Sequence, residues 1–329
     1  MRAWRVHELG EPEAVLTLED LPTPEPAAGE VLVDVAAASL NFPDVLMCRG
    51  EYQVRPPLPF TPGAEVSGTV TGLGPGADPA LLGRRVIALP RFGDGGFTER
   101  TVAPTGTVFA IPDSLSDEAA AAMHVTYQTG HVGLHRRAAL QPGEVLLVHA
   151  GAGGVGSAAI QLGLAAGARV IATAGGPEKV QVCKDLGAEL VIDYRAGDFV
   201  DAVKEATGGL GANVIYDPVG GDTYDRSTKC IAFEGRILII GFTGGRFAEA
   251  RTNHVLIKNY SVVGVHWGFY NMMNPALINA THERLMALHE TGQIAPLISQ
   301  ILKFEEIPAG LASLATRGTW GKLVANLSS

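Results

Sequence analysis

Val145-Leu146-Leu147-Val148-His149-Ala150-Gly151-Ala152-Gly153-Gly154-Val155-Gly156-Ser157 runs from an apolar strand through a glycine-rich turn into a helix without a break. A short β-branched and leucine run of this kind suits a strand buried on both faces. The turn has the form G-x-G-x-x-G, a weak signal alone in a chain of 329 residues holding 41 glycines. Here a strand precedes it and a helical run, 157–166, follows, which is the context its mechanism needs. The first glycine permits a tight turn, the second lets backbone approach a pyrophosphate, and the third lets helix pack on strand. The helix start then offers free N–H groups and a positive dipole end to the phosphates. Gly151, Gly153, Gly154, Val155 and Gly156 are therefore expected to cradle a dinucleotide.

Downstream the rhythm repeats. Apolar strands are expected at 169–174, 190–194, 213–217, 236–241 and 261–267, most of them separated by helical stretches. That alternation predicts an α/β class with a doubly wound parallel sheet. Upstream, short strands at 30–35, 65–70, 85–89 and 97–102 are separated by Gly and Pro and read as a barrel-like β domain. Ser116-Asp117-Glu118 ahead of an alanine run opens a helix. The tail is expected to hold a helix at 275–292 and a strand at 322–325. At about 150 residues per domain the length makes two domains.

The end of the second strand selects the cofactor. An NAD site places Asp or Glu there, about 20 residues after the turn, to bind the ribose 2′-hydroxyl. This strand instead runs into Gly175-Gly176-Pro177, with Glu178 and Lys179 next. A missing acid and a nearby cation fit a 2′-phosphate, so NADP(H) is expected, with Gly176, Lys179 and Tyr194 as contacts. Ordinary surface positions are the alternative for Lys179 and Tyr194. Gly241 and Phe242, closing the strand at 236–241, complete the expected contacts in this half.

Composition excludes several classes. A net charge of −9 argues against nucleic acid and acidic membrane surfaces as partners. Three scattered cysteines, with no C-x-x-C, exclude a disulfide framework and a thiolate zinc cage, and suit a reducing compartment. The N-terminus carries charges throughout and lacks the apolar core of a signal sequence, so a soluble cytoplasmic protein is expected. His131 and His135 stand four apart, but with no Glu at 132 and no third ligand no metal role is assigned to them.

Further quotations extend the pattern over nearly the whole chain: Asn41-Phe42-Pro43-Asp44, Arg49-Gly50-Glu51-Tyr52, Pro62-Gly63-Ala64-Glu65-Val66-Ser67-Gly68, Thr126-Tyr127, Asp217-Pro218-Val219-Gly220-Gly221-Asp222, the stretch 259–268 and Gly321-Lys322. With the turn, these resemble the zinc-independent quinone oxidoreductase branch, zeta-crystallin-like, of the medium-chain dehydrogenase/reductase superfamily. The resemblance implies a GroES-like β-barrel catalytic domain at 1–122, completed by about 270–329, and a Rossmann NADP-binding domain at 123–269, with the cofactor between them. Zinc-dependent relatives carry a Cys three residues before the Asp and a Gly-His-Glu further on. Here those places hold Asn41 and Gly63-Ala64-Glu65, and no cysteine follows 85–87, so neither zinc site has its ligands.

Losing zinc removes the Lewis acid that polarises an alcohol or aldehyde oxygen. What remains suits acceptors already activated by conjugation, and the resemblance implies NADPH-dependent reduction of quinones or related conjugated carbonyls. Asn41 is expected to hydrogen-bond an acceptor oxygen or order water, and Thr126 to reach the nicotinamide amide, with a helix cap as its alternative. Tyr52 resembles a pocket tyrosine of quinone reductases and the proton donor of enoyl thioester reductases, its alternative being a loop aromatic packed on Pro56 and Pro57. Asp44 and Glu65 read as turn and core acids before a catalytic pair. Arg317 matches an arginine that approaches the adenosine phosphate. Gly176 replaces a Ser or Thr common in relatives, and Leu46 a second pocket tyrosine. The rival readings are an enoyl thioester or alkenal reductase, and an NADPH-binding structural or RNA-binding protein. A homodimer joined through the edge strand near 261–265 is also expected.

Overall fold

Glu30–Leu40 is the longest strand of the molecule, and its apolar positions face the core along most of its length. In the computed structural model, which describes residues 1–327, it pairs antiparallel with Val66–Leu73, Arg100–Pro104 and Lys322–Asn326. The sheet built on it has seven strands, ordered Ile298–Lys303, Lys322–Asn326, Glu30–Leu40, Val66–Leu73, Arg85–Ala88, Val108–Ala110, with Arg100–Pro104 joined to the longest strand. The strand expected at 97–102 begins only at Arg100, because Phe97 bonds elsewhere: its carbonyl accepts from Trp4 N and its N–H donates to Pro62 O. A short helix, Phe42–Arg49, was not legible in the upstream pattern. Val31, Val33, Phe60, Val66, Phe97 and Leu323 share one buried core.

The chain resolves into two units, 1–125 with 296 onward, and 126–295. The return to the first unit was expected near 270, and it comes later. The helix Pro275–Glu290 stays with the second unit because polar anchors tie its neighbourhood there. The Gln128 side chain donates to Ile278 O at 3.0 Å, and Tyr127 Oη donates to Ala295 O at 2.9 Å. Gln161 holds both backbone groups of Ala295, at 3.0 and 2.7 Å.

The second unit is a six-stranded sheet, parallel throughout, ordered Leu190–Asp193, Arg169–Ala174, Val145–Val148, Ala212–Asp217, Ile231–Ile239, Ser261–Gly264. Numbered within the sheet this order is 3-2-1-4-5-6, which reverses between the strands at 145 and 212. In open α/β sheets ligands bind outside the carboxyl ends of the strands at that reversal. Each expected parallel strand is present, with ends shifted by a few residues.

His149 closes the first of these strands, fully buried. The Ser227 hydroxyl donates to Thr223 O at 2.7 Å, so it receives the His149 Nε2–H at 2.8 Å. Nδ1 then accepts from the Thr173 hydroxyl at 3.0 Å, and the ring is neutral. Burial pulls its pKa from 6.5 down to about 4. The unfolded chain takes up this proton below pH 6.5 while the native state refuses it down to about 4, so His149 withdraws stability as pH falls through that window. The full withdrawal is on the order of 3 kcal/mol. Denaturant unfolding of wild type and His149→Gln, compared at pH 7 and pH 4.5, is expected to show the stability gap narrowing at the lower pH. A gap independent of pH would mean that the imidazole titrates alike in both states.

Candidate functional site

At the glycine-rich turn the chain reverses through Ala150, whose φ is 50°, and the helix Gly154–Ala165 begins with Gly153 as its N-cap. Gly151 N–H donates to Thr173 O at 2.9 Å, which pins the turn to the neighbouring strand. A Cβ on Gly156 would stand 2.2 Å from Ala150 O, so only glycine lets helix and turn approach this closely. A Cβ on Gly151 would press on the Cys183 sulfur at 2.9 Å and on Ala172. Gly153 is different: its Cβ would meet only Ala150 O, at 3.3 Å, so its own fold leaves it room. No side chain caps the helix, so its first N–H groups have no side-chain acceptor. An uncapped helix start behind a glycine turn fits a pyrophosphate.

The next strand ends at Ala174 and passes into Gly175 and Gly176, the latter with φ of 92°. Tyr194 and Arg195 close over this corner. A Cβ on Gly175 would lie 2.4 Å from the Tyr194 hydroxyl, and one on Gly176 would lie 3.3 Å from an Arg195 guanidinium nitrogen. Asp193 Oδ1 accepts from Gly176 N at 3.0 Å and Arg195 N at 2.9 Å, and these bonds hold its pKa below the ordinary aspartate value. That carboxylate is committed to shaping the corner. Lys179, on the helix Pro177–Asp185, has its pKa lowered by burial and then by the Arg195 charge. Two cations thus converge on one glycine corner. Gly176, Lys179 and Tyr194 all lie at this corner. Arg195 escaped sequence reasoning, although it is the residue after Tyr194. Gly241 and Phe242 belong to the same carboxyl edge: the Phe242 ring comes within 2.9 Å of a Cβ placed on Gly220. Thr126 is buried in the helix Asp117–His131.

The first unit holds Asn41, Tyr52 and Arg317. Asn41 precedes the helix Phe42–Arg49 and is 5% exposed. Its amide nitrogen donates to Glu65 Oε1 at 3.1 Å and Ser39 O at 3.3 Å, and its oxygen accepts from Lys322 Nζ at 2.6 Å. The expectation that this amide meets an acceptor oxygen is therefore revised: every polar atom it carries is engaged inside the unit. Lys322 also reaches Glu65 Oε1 at 3.2 Å, with both side chains almost wholly buried. Glu65 Oε2 accepts from Val125 N at 2.7 Å. Asp44 takes the backbone N–H of Asn41 at 2.8 Å and of Gly63 at 3.1 Å. Burial, the largest effect, raises its pKa to about 7 against those two bonds. Asp44 and Glu65 therefore serve as core acids that place backbone.

Beside this cluster Tyr52 lines a depression of about 190 Å³ whose walls include Pro43, Met47, Pro56, Phe60 and Phe92. Burial, with the Asp44 charge second, lifts the phenol pKa above 10, so the hydroxyl keeps its proton at neutral pH. Pro56 is a wall neighbour of Tyr52 as the packing alternative held, whereas Leu46 is not among the lining residues. Arg317 is exposed, with a left-handed φ of 59°.

Two family descriptions match this chain: an alcohol dehydrogenase GroES-like domain over 27–113 and a zinc-binding dehydrogenase over 154–282. A quinone oxidoreductase-like protein 2 homolog of Nematostella vectensis is 37% identical, over 99% of this chain and 88% of its own. The Escherichia coli quinone oxidoreductase solved with NADPH superposes with a TM-score of 0.92 at 29% identity, covering 99% of this chain and 100% of that one. A mycobacterial protein solved with NADPH gives 0.92 at 30% identity, with coverage of 99% and 100%. A GroES-like unit with a Rossmann unit defines a two-domain dehydrogenase. The chain belongs to the medium-chain dehydrogenase/reductase superfamily, in its quinone oxidoreductase branch.

The Lys322–Glu65 pair is open to a direct test. Lys322→Met leaves the Glu65 carboxylate buried without its cation, a defect that typically costs about 3–5 kcal/mol. Urea unfolding of the variant is expected to show a loss of that size. A loss below about 1 kcal/mol would show that Glu65 does not depend on the ammonium.

Proposed function

We propose that this chain is an NADPH-dependent reductase of quinones and related conjugated carbonyls that works without a metal ion. The observation that carries the reading is the corner formed by Gly175, Gly176, Lys179, Tyr194 and Arg195, where two cations and a phenol surround glycines, Asp193 Oδ1 is turned to backbone N–H groups, and Glu178 is the other carboxylate felt by Lys179. A ribose 2′-phosphate satisfies that excess of positive charge, and a bare 2′-hydroxyl does not. The NADPH complexes of two similar proteins support the same cofactor.

NADPH, when bound, supplies the hydride. Gly151–Gly156 and the uncapped helix start would hold its pyrophosphate, and Gly176, Lys179, Tyr194 and Arg195 its 2′-phosphate. Gly241, Phe242 and Thr126 are proposed as further contacts from the second unit, and Arg317 from the first. The Tyr52 depression supplies flat apolar walls for a conjugated ring, and its protonated hydroxyl donates a hydrogen bond to an acceptor oxygen. Asn41 acts as a positioning residue, through Glu65 and Lys322.

The family description mentions zinc, and the residues present do not fit it. Asn41 and Ala64 offer neither thiolate nor imidazole, and the buried Lys322 ammonium already occupies the oxygens of Asn41 and Glu65. Among the described residues no group of three His, Cys, Asp or Glu side chains is placed to hold a metal ion. No described helix is long and apolar enough to cross a membrane, and three free buried cysteines suit a reducing cytoplasm.

The deciding experiment follows oxidation of NADPH and NADH with a simple quinone and a short enoyl thioester in parallel. Quinone turnover selective for NADPH is expected. Arg195→Ala is expected to raise the KM for NADPH roughly 10- to 100-fold with little change for NADH, the size of one charge-assisted bond. Equal effects on both cofactors would remove Arg195 from the 2′-phosphate. Tyr52→Phe is expected to slow quinone reduction less than about tenfold. Loss by roughly 100-fold or more, with preference for the thioester, would make Tyr52 a proton donor and the chain an enoyl reductase.

We further propose a homodimer. Ser261–Gly264 is the sheet's edge strand, and Leu256 and Ile257 on the preceding helix are 78% and 79% exposed. Large exposed aliphatics beside an unpaired edge invite a second copy. Sedimentation at micromolar concentration is expected to give twice the chain mass, falling to one chain mass in Val262→Pro. A wild-type monomer would overturn the assembly.

A further inference from the structure

The helix Gly154–Ala165 carries the glycine-rich turn at one end, and at its other end, about 18 Å away, lies a second feature. Ala165 and Ala166 there join His131, His135, Arg284 and Leu288 around a cavity of about 270 Å³. The helix Asp117–His131 continues as a π-helical segment, Val132–Arg137, and such segments recur at functional sites. The His131 and His135 rings lie side by side, with centroids 4.4 Å apart. Arg284 projects into the same space from the helix Pro275–Glu290, and among the described residues it forms no ion pair.

Three elements line the cavity. The helix ending at His131 with its π extension contributes the two imidazoles, the helix Pro275–Glu290 contributes Arg284, and the end of Gly154–Ala165 contributes only alanine. Among the described residues no carboxylate lines the cavity. Three carbonyls near the alanine end are bonded by backbone: Leu162 O, Gly163 O and Leu164 O accept from Ala166, Ala168 and Gly167. The Arg284 guanidinium repels a cation and attracts an anion.

We propose that this cavity is a binding site for a small anion, a phosphoryl or carboxylate group held by Arg284 and by N–H donors of His131 and His135, with Leu288, Ala165 and Ala166 against the apolar remainder of the ligand. Arg284 supplies the forked donors that suit either group. The site is separate from the dinucleotide turn and does not rest on the proposed reaction. Burial and the Arg284 charge, with His135 also acting on His131, depress both imidazole pKa values, that of His131 to about 4. A bound anion opposes that depression, so binding draws protons onto the pair.

The test is a ¹⁵N-imidazole NMR titration of the full chain with inorganic phosphate and, separately, acetate, with sodium chloride at matched ionic strength as control. His131→Gln and His135→Gln assign the two signals. Saturable movement of both signals toward the protonated form, absent with chloride, is expected from at least one anion, and the one that saturates identifies the head group. Arg284→Ala, an exposed position, is expected to weaken that response by roughly tenfold or more. Shifts that chloride reproduces, shifts that never saturate, or an Arg284→Ala response equal to wild type would overturn the site. So would saturable broadening by Ni²⁺ with no anion response, which would make the pair a cation site.

Discussion

Burying the Lys322 ammonium against the Glu65 carboxylate is favourable only because each finds further partners. Isolated in a protein interior, either charge carries a desolvation penalty of several kcal/mol. Here Asn41 bridges them, Val125 N–H takes the second carboxylate oxygen, and Lys322 sits on a strand paired antiparallel with Glu30–Leu40. The last strand of the chain, the longest strand, and the segment before Val66 are thereby locked together. Asp44 extends the lock by holding the Asn41 and Gly63 N–H groups. Pro43, Gly63 and Ala64 flank these anchors and also wall the depression that holds Tyr52. The shape of that depression thus depends on an ion pair that does not line it.

In the second unit the governing constraint is steric. Glycine at 151 and 156 lets a strand, a turn and a helix occupy space in which any Cβ would collide. The close approach leaves a helix start with no capping side chain, and unsatisfied N–H groups there favour an anionic ligand. The neighbouring glycine corner adds Lys179 and Arg195, whose mutual repulsion the proposed 2′-phosphate would relieve. At the far end of the same helix three carbonyls are closed by backbone N–H groups, and the positive charge there comes from the Arg284 side chain.

Much of this organisation was legible in the chain. The parallel strands announced themselves because buried strands are short apolar runs, and the turn because its glycines stand between a strand and a helix. The absent acid after Ala174 could be read because ribose recognition has a fixed place in the order of elements. Other features left no local trace. Arg195 is one charged residue among many, and only the φ of Gly176 and the register of Asp193 beside Ala174 bring it to the corner. Asn41 was expected at an acceptor oxygen because it stands where zinc-dependent relatives carry a ligand, and its actual partners are remote in sequence: Glu65 lies 24 residues away and Lys322 lies 281 away.

The sequence by itself determined the doubly wound sheet, the glycine turn and the loss of zinc ligands, since each depends on residue types within a short window. Tertiary structure alone decided that the helix at 275–290 stays with the second unit, that Lys322 closes on Glu65, and that His131, His135 and Arg284 share one cavity. These are contacts between residues distant in the chain. Hydrophobic periodicity reports which face of an element is buried, and it carries no information on which distant charge that face will meet.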